Sequence, residues 1–191
     1  METLVRAIEI FAALTGVAYV VLEILQKNAM WYVGILTGAA CAFSFAVTQV
    51  WASMALNIYY VGMSVVGLWQ WKKDAEVSPE LEIRYRRPSL KVILASLALL
   101  VCGVALLSPL LARTGDPAPL PDAFVTVLSA IATWWLAKSY LQQWLLWIVA
   151  DAVTSALCVY TGQYAMALMY LAYMASAAIG YIHWKTKGNG I

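Results

Sequence analysis

Charge is scarce in this chain: Asp, Glu, Lys and Arg make up 12% of its 191 residues, while 63% are apolar. Soluble domains carry about twice that share of charge, so an ordinary water-soluble globule is excluded. With one histidine, His183, a zinc protease of the HExxH type cannot be built. The pattern GxxxxGK[ST] is missing, which excludes direct drive by a nucleotide held in such a loop. A net charge of +2 leaves no basic surface for nucleic acid. The three cysteines, Cys41, Cys102 and Cys158, are odd in number and lack CxxC spacing, so neither a disulfide framework nor a thiolate zinc site is expected. They read as small apolar packing residues, and no metal or cofactor is expected.

What the chain does have is long hydrophobic runs. A bilayer core of about 30 Å needs about 20 apolar residues per helical span. Seven stretches qualify, near 4 to 25, 30 to 47, 51 to 71, 90 to 111, 123 to 138, 141 to 161 and 164 to 184. The expectation is an all-α integral membrane protein of seven transmembrane helices forming a single membrane domain. The first stretch lacks a basic leader and carries Glu9 and Glu23, which suits a retained helix better than a cleaved signal. Lys and Arg divide ten to two between the two sets of loops, the basic set comprising 26 to 29, 72 to 91, 138 to 140 and the C-terminal segment. By the positive-inside tendency the N-terminus faces out and the C-terminus the cytoplasm.

Residues 72 to 89 hold nine of the 22 charged residues, and ELEIRYR alternates apolar and charged positions. A short extended segment fits that alternation, but a solvated loop is the favoured reading. Four prolines between 108 and 121 prevent that connection from being helical throughout.

An offset of 113 positions aligns 31 to 72 with 144 to 185 without a gap, matching Trp31 to Trp144, Tyr60 to Tyr173, Gly67 to Gly180, Trp71 to Trp184 and Lys72 to Lys185. This predicts a 3+1+3 parallel internal repeat: about 4 to 71, a linker helix at about 90 to 111, and about 123 to 184. Transporters built from such repeats place the substrate at the repeat interface.

Asp151 is the strongest single signal, because a charge in the middle of a span costs about 2.5 to 3.5 kcal/mol even on a lenient scale. Trp144, Trp147, Asp151, Thr154 and Ser155 share one helical face. Asn57, Tyr60, Ser64, Gly67 and Trp71 share another, and Tyr170, Tyr173, Gly180 and Trp184 a third. The candidate substrate-binding residues are Trp144, Trp147, Asp151, Asn57, Tyr60 and Tyr173. Gly67, Trp71, Gly180 and Trp184 read as packing residues, and His183 as interfacial. Glu9 and Glu23, nearer the ends of their helix, read as solvated, leaving Asp151 as the one deep ionisable group. An intramembrane aspartyl protease, which needs two facing carboxyls, is therefore not expected; a receptor or structural role is the remaining alternative to transport.

The segments WLLWIVAD, NIYY followed by GLWQW, ELEIRYR, YTGQYAMALMY and GYIHW together resemble the PnuC-type vitamin transporters, the bacterial nicotinamide riboside carriers and their thiamine-transporting relatives. The resemblance implies the 3+1+3 fold in the bacterial inner membrane and a homo-oligomer, with a trimer as the candidate state. It also implies facilitated diffusion without a coupling ion, followed by trapping of the substrate through cytoplasmic phosphorylation. By position it puts Trp144, Trp147 and Asp151 on the substrate-lining sixth helix, and Asn57 and Tyr60 on the third. Some riboside carriers have Asn where this chain has Asp151. Both vitamins are flat aromatic cations suited to indoles and a carboxylate, and riboside is the first choice.

Overall fold

The computed structural model describes the backbone of residues 2–49 and 51–191, and the side chains of Phe11 and of residues 14–49 and 54–191. Glu9 lies outside the described side chains. Among the described residues seven helices follow in order: α1 (Glu2–Ile24), α2 (Ala29–Val47), α3 (Trp51–Val77), α4 (Leu90–Arg113), α5 (Pro119–Ala137), α6 (Gln143–Tyr160) and α7 (Tyr164–Lys187). Five of them, α2 and α4 to α7, are long and apolar enough to cross a membrane by length and composition. Lipid offers backbone groups no partner, so helices are the form these runs must take. Their outer faces carry exposed apolar side chains, such as Leu94, Leu97, Val101 and Leu106 on α4. The protein is a multi-pass α-helical membrane protein.

Two boundaries differ from the sequence reading. α4 continues through Pro109 to Arg113, since a proline late in a helix removes a single backbone bond. α5 starts at Pro119, the first helical position, where the missing N–H is not needed. The proline-rich connection is thus irregular only between Thr114 and Ala118.

The corners are tight. Helix α1 ends with Gln26 at φ 49° and α5 with Ser139 at φ 57°. In both, the next amide reaches back five residues, from Lys27 to Leu22 and from Tyr140 to Trp135, each at 2.9 Å. These closures satisfy carbonyls that the helix ends leave open. At the other end of the bundle Thr48 and Thr161 cap α2 and α6 by donating to the last-turn carbonyls of Ser44 and Leu157. Helix α2 packs on α1 and α3, α6 on α5 and α7, α3 on α5, α1 on α7, and α4 chiefly on α5.

The buried apolar core sits at the end that carries the Lys- and Arg-rich loops, here termed the basic end. It joins Met30, Trp31, Trp71, Ile83, Leu136, Leu141, Trp144 and Trp184. Trp31 lies on Gly67 and Trp144 on Gly180, so closely that a Cβ on either glycine would overlap the indole. Trp31 meets Trp71 edge-on at 5.0 Å, and Trp144 meets Trp184 edge-on at 5.5 Å. Trp31, Trp71, Trp184 and the two glycines are packing elements.

The favoured reading of ELEIRYR as a solvated loop is overturned. Ile83 is 2% exposed within the core. Residues 84 and 85, strand β1, pair in parallel with Asn189–Gly190, strand β2, in the C-terminal segment. The Gln26 side chain both donates to and accepts from the Arg84 backbone, at 2.7 and 2.6 Å. Two residues on, the Arg86 amide donates to Ser139 O at 2.8 Å, and Leu141 N donates to Arg86 O at 3.0 Å. The segment is therefore a strap tied to the α1–α2 corner, the α5–α6 corner and the C-terminal segment. The Arg86 guanidinium forks onto both carboxylate oxygens of Asp74 at 2.7 Å, and that pairing pushes its pKa further above its ordinary value. Alternation carried the extended geometry, but the partners of the strap are far away in sequence, so composition alone pointed to water.

Candidate functional site

Above the indole core the helices part around a cavity with two lobes. One, of about 210 Å³, is walled by Thr15, Gly16 and Tyr19 of α1, Gly34, Thr37 and Gly38 of α2, Asn57, Tyr60 and Ser64 of α3, Thr133 of α5 and Trp147 of α6. The other, of about 270 Å³, is walled by Gly16, Tyr19, Val20 and Glu23 of α1, Trp144, Trp147 and Asp151 of α6, and Tyr170, Tyr173 and Ala177 of α7. Gly16, Tyr19 and Trp147 border both lobes. The 3.6-residue period brings Trp144, Trp147 and Asp151 to one side of α6, as the sequence predicts.

All six candidate residues line this cavity: Asn57, Tyr60 and Trp147 the first lobe, Trp144, Trp147, Asp151 and Tyr173 the second. The two indoles are not equivalent. Trp144 is 2% exposed and held edge-on by Trp184, whereas Trp147 is partly buried and reaches both lobes. Asp151 is buried, and among the described residues no donor reaches its carboxylate. Thr154 and Ser155, on the same face, are spent on helix bonding: Thr154 Oγ1 donates to Ala150 O and Ser155 Oγ to Ala167 O. The indole N–H groups of Trp144 and Trp147 are buried without an acceptor among the described residues, an arrangement that favours an oxygen-bearing guest.

The reading of Glu23 as solvated is wrong. It is 5% exposed, lines the second lobe and accepts a hydrogen bond from Gln143 Nε2 at 3.2 Å. The nearness of a helix end in sequence misled, because the strap and α6 cover that end. Asp151 is accordingly not the one deep ionisable group. Among the described residues neither lobe is lined by Lys, Arg or His. The cavity offers aromatic faces, hydroxyls and two carboxyls, a lining suited to a flat cationic guest with polar substituents.

Sequence reasoning also missed Tyr19, Gly34 and Gly38. A Cβ on Gly34 would stand 2.8 Å from Ser64 Oγ, and one on Gly38 2.9 Å from Val61 Cγ2, so these glycines let α2 approach α3 closely. A signal was present: at the offset of 113, Gly34 and Gly38 stand opposite Trp147 and Asp151. Tyr60 and Tyr173 match at that offset and both line the cavity, so the two lobes differ chiefly where the glycines face the indole and the carboxyl.

The nicotinamide mononucleotide transporter family profile matches residues 6–186. The chain is similar to a nicotinamide riboside transporter PnuC of Neisseria mucosa, 27% identical over 183 residues, covering 91% of this chain and 70% of the relative. It is 24% identical to the nicotinamide riboside transporter PnuC of Escherichia coli, with 86% and 79% covered. In fold it is similar to a chain described as "Crystal structure of the Vitamin B3 transporter PnuC", with TM-score 0.69, 24% identity, and 92% of this chain and 79% of that one covered. A profile match over nearly the whole length, joined to the same helical fold, means that this chain belongs to the nicotinamide mononucleotide transporter family.

Proposed function

We propose that the protein carries nicotinamide riboside across the bacterial inner membrane by facilitated diffusion, as a carrier and not an enzyme, with Trp144, Trp147, Asp151, Asn57, Tyr60 and Tyr173 binding the substrate. The observation that carries this reading is the two-lobed cavity of indoles, phenols and carboxyls, without a basic side chain among the described residues. A pyridinium ring stacks on Trp147 and is drawn by Asp151, and ribose hydroxyls find acceptors and donors in the tyrosine-lined lobe. A phosphate would meet two carboxyls and, among the described residues, no counter-charge, which supports the riboside over the mononucleotide. The two curated relatives above bear the riboside name.

Features matched at the 113 offset support a 3+1+3 repeat with boundaries near 4 to 71, 90 to 111 and 123 to 184. They are the paired Trp–Gly contacts, the left-handed corners Gln26 and Ser139, and the threonine caps Thr48 and Thr161. The substrate then lies between the repeats. The basic loops support an orientation with the strap in the cytoplasm and the N-terminus outside. The exposed apolar face of α4 leaves room for the proposed homo-oligomer.

No coupling ion is required. For a cation, an inside-negative potential of 100 mV contributes about 2.3 kcal/mol per charge, enough for roughly 50-fold accumulation. The test is uptake by purified protein in liposomes, with nicotinamide riboside, thiamine and nicotinamide mononucleotide as cargo. Riboside should equilibrate without any ion gradient and its final ratio should follow an imposed potential, while the mononucleotide is not carried. Thiamine uptake without riboside uptake would reassign the cargo. Loss of accumulation on removing a sodium or proton gradient at fixed potential would identify a symporter.

A further inference from the structure

We propose that Glu23, held by Gln143, is a cargo-binding residue that accepts a hydrogen bond from an N–H group on the cargo's aromatic ring and excludes cargo bearing a ring carboxylate there. The proposal rests on the riboside reading above and deepens it.

Glu23 stands at the last turn of α1 and lines the same lobe as Trp144, Trp147 and Asp151. Its backbone is fixed from α7, because Trp184 Nε1 donates to Glu23 O at 3.2 Å and to Ile24 O at 3.0 Å. Its carboxyl is fixed from α6 by Gln143, whose residue is 0% exposed. No cation pairs with it among the described residues. One amide partner leaves most of a carboxylate's acceptor capacity open. Gln143 Oε1 is likewise buried without a donor among the described residues. The Glu23 carboxyl is the acceptor that lines the lobe, and its open capacity complements an N–H bond of a primary amide.

A purely structural role does not account for the carboxyl. At the offset of 113 from Glu23 stands Leu136, whose carbonyl accepts from Trp71 Nε1 at 3.2 Å. The α5 corner thus performs the same backbone task with an apolar side chain, so the acid at the α1 corner is surplus to the packing. A buried acid kept without a cation partner is costly.

The geometry also separates the two acids. Gln143 and Asp151 are eight residues apart on α6, a rise of about 12 Å, with Trp144 and Trp147 between them. A ring lodged against Trp147 sends one substituent toward Glu23 and the other toward Asp151. The Asp151 side is lined by Tyr170 and Tyr173, which suits sugar hydroxyls. The Glu23 side is walled by the nearly buried Trp144, which suits a flat amide.

The test compares nicotinamide riboside with nicotinic acid riboside, which replaces the ring amide with a carboxylate, in proteoliposomes holding wild type, Glu23→Gln or Glu23→Asp. Wild type should prefer the amide. Glu23→Gln should lower that preference by about 10-fold or more, the scale of one hydrogen bond to a charged group. Glu23→Asp keeps the carboxyl group and should keep the preference at reduced affinity. Each ratio is taken within one protein, so amide uptake reports that the variant is folded. An unchanged ratio in Glu23→Gln overturns the assignment, as does an effect confined to a 2′-deoxy analogue, which would assign Glu23 to the sugar. If wild type moves neither riboside, the carrier reading falls and takes this proposal with it; if wild type moves the amide and only the ratio fails to respond, the carrier reading stands alone.

Discussion

Trp71 and Trp184 face each other across the middle of the basic end, ring centroids 6.0 Å apart and planes inclined by 61°. Each reaches past its neighbour to the other half of the chain: Trp71 donates to Leu136 O at the end of α5, and Trp184 to Glu23 O and Ile24 O at the end of α1. The two indoles thus fasten each half of the bundle to a helix end of the other. Trp144 meets Trp184 edge-on and lines the second lobe, so this fastening underlies the cavity floor.

That floor makes the two glycines sensitive. Gly67→Ala and Gly180→Ala each press a methyl into an indole, and overpacking of this kind costs about 1 to 3 kcal/mol. The thermal midpoint in detergent should fall by roughly 2 to 12 °C for either change. Trp31→Leu should restore part of the loss for Gly67→Ala and none for Gly180→Ala, which a double-mutant comparison would read.

The strap provides a second stability test. Asp74 is 5% exposed in its side chain and Arg86 32%, so Arg86→Ala leaves a nearly buried carboxylate with the Gln70 amide and no cation. Allowing for the partial exposure of the arginine, the loss should be about 1 to 3 kcal/mol. Arg86→Lys should recover only part of it, because a single ammonium cannot fork onto two oxygens. Proteolysis of the 78–89 segment in detergent should quicken in the order wild type, Arg86→Lys, Arg86→Ala. Equal rates would show that the strap is held by its backbone bonds, the Gln26 contact and the β1–β2 pairing without help from the Arg86 side chain.

Recognition of the cargo can be divided between ring and charge. Trp147→Ala removes an aromatic contact of order 0.5 to 2 kcal/mol and should weaken riboside binding roughly 2- to 30-fold by calorimetry. Asp151→Asn keeps the shape and removes the charge, so it should weaken a pyridinium more than a neutral isostere. Equal loss for both ligands would assign Asp151 to structure.

Orientation is tested by labelling in intact cells on a background free of Cys41, Cys102 and Cys158. A cysteine at Glu80, in the strap loop, should be protected from an impermeant thiol reagent, while one at Pro117 should be labelled. The opposite pattern would invert the topology.

The composition of the chain was enough to declare a helical membrane protein, because a bilayer core admits few other forms for long apolar runs. Periodicity was enough to put Trp144, Trp147 and Asp151 on one side of α6, because helical spacing is a local property. Neither could say that Glu23 is buried or that Ile83 belongs to the core. Both residues sit at places that look exposed along the chain, near a helix end and within a charged loop. They are covered only once Gln143 is brought 120 positions back to Glu23 and the strap is drawn between Gln26 and Ser139. Burial at a helix end depends on which distant segments fold over it, and that is settled by tertiary packing, not by the residues on either side.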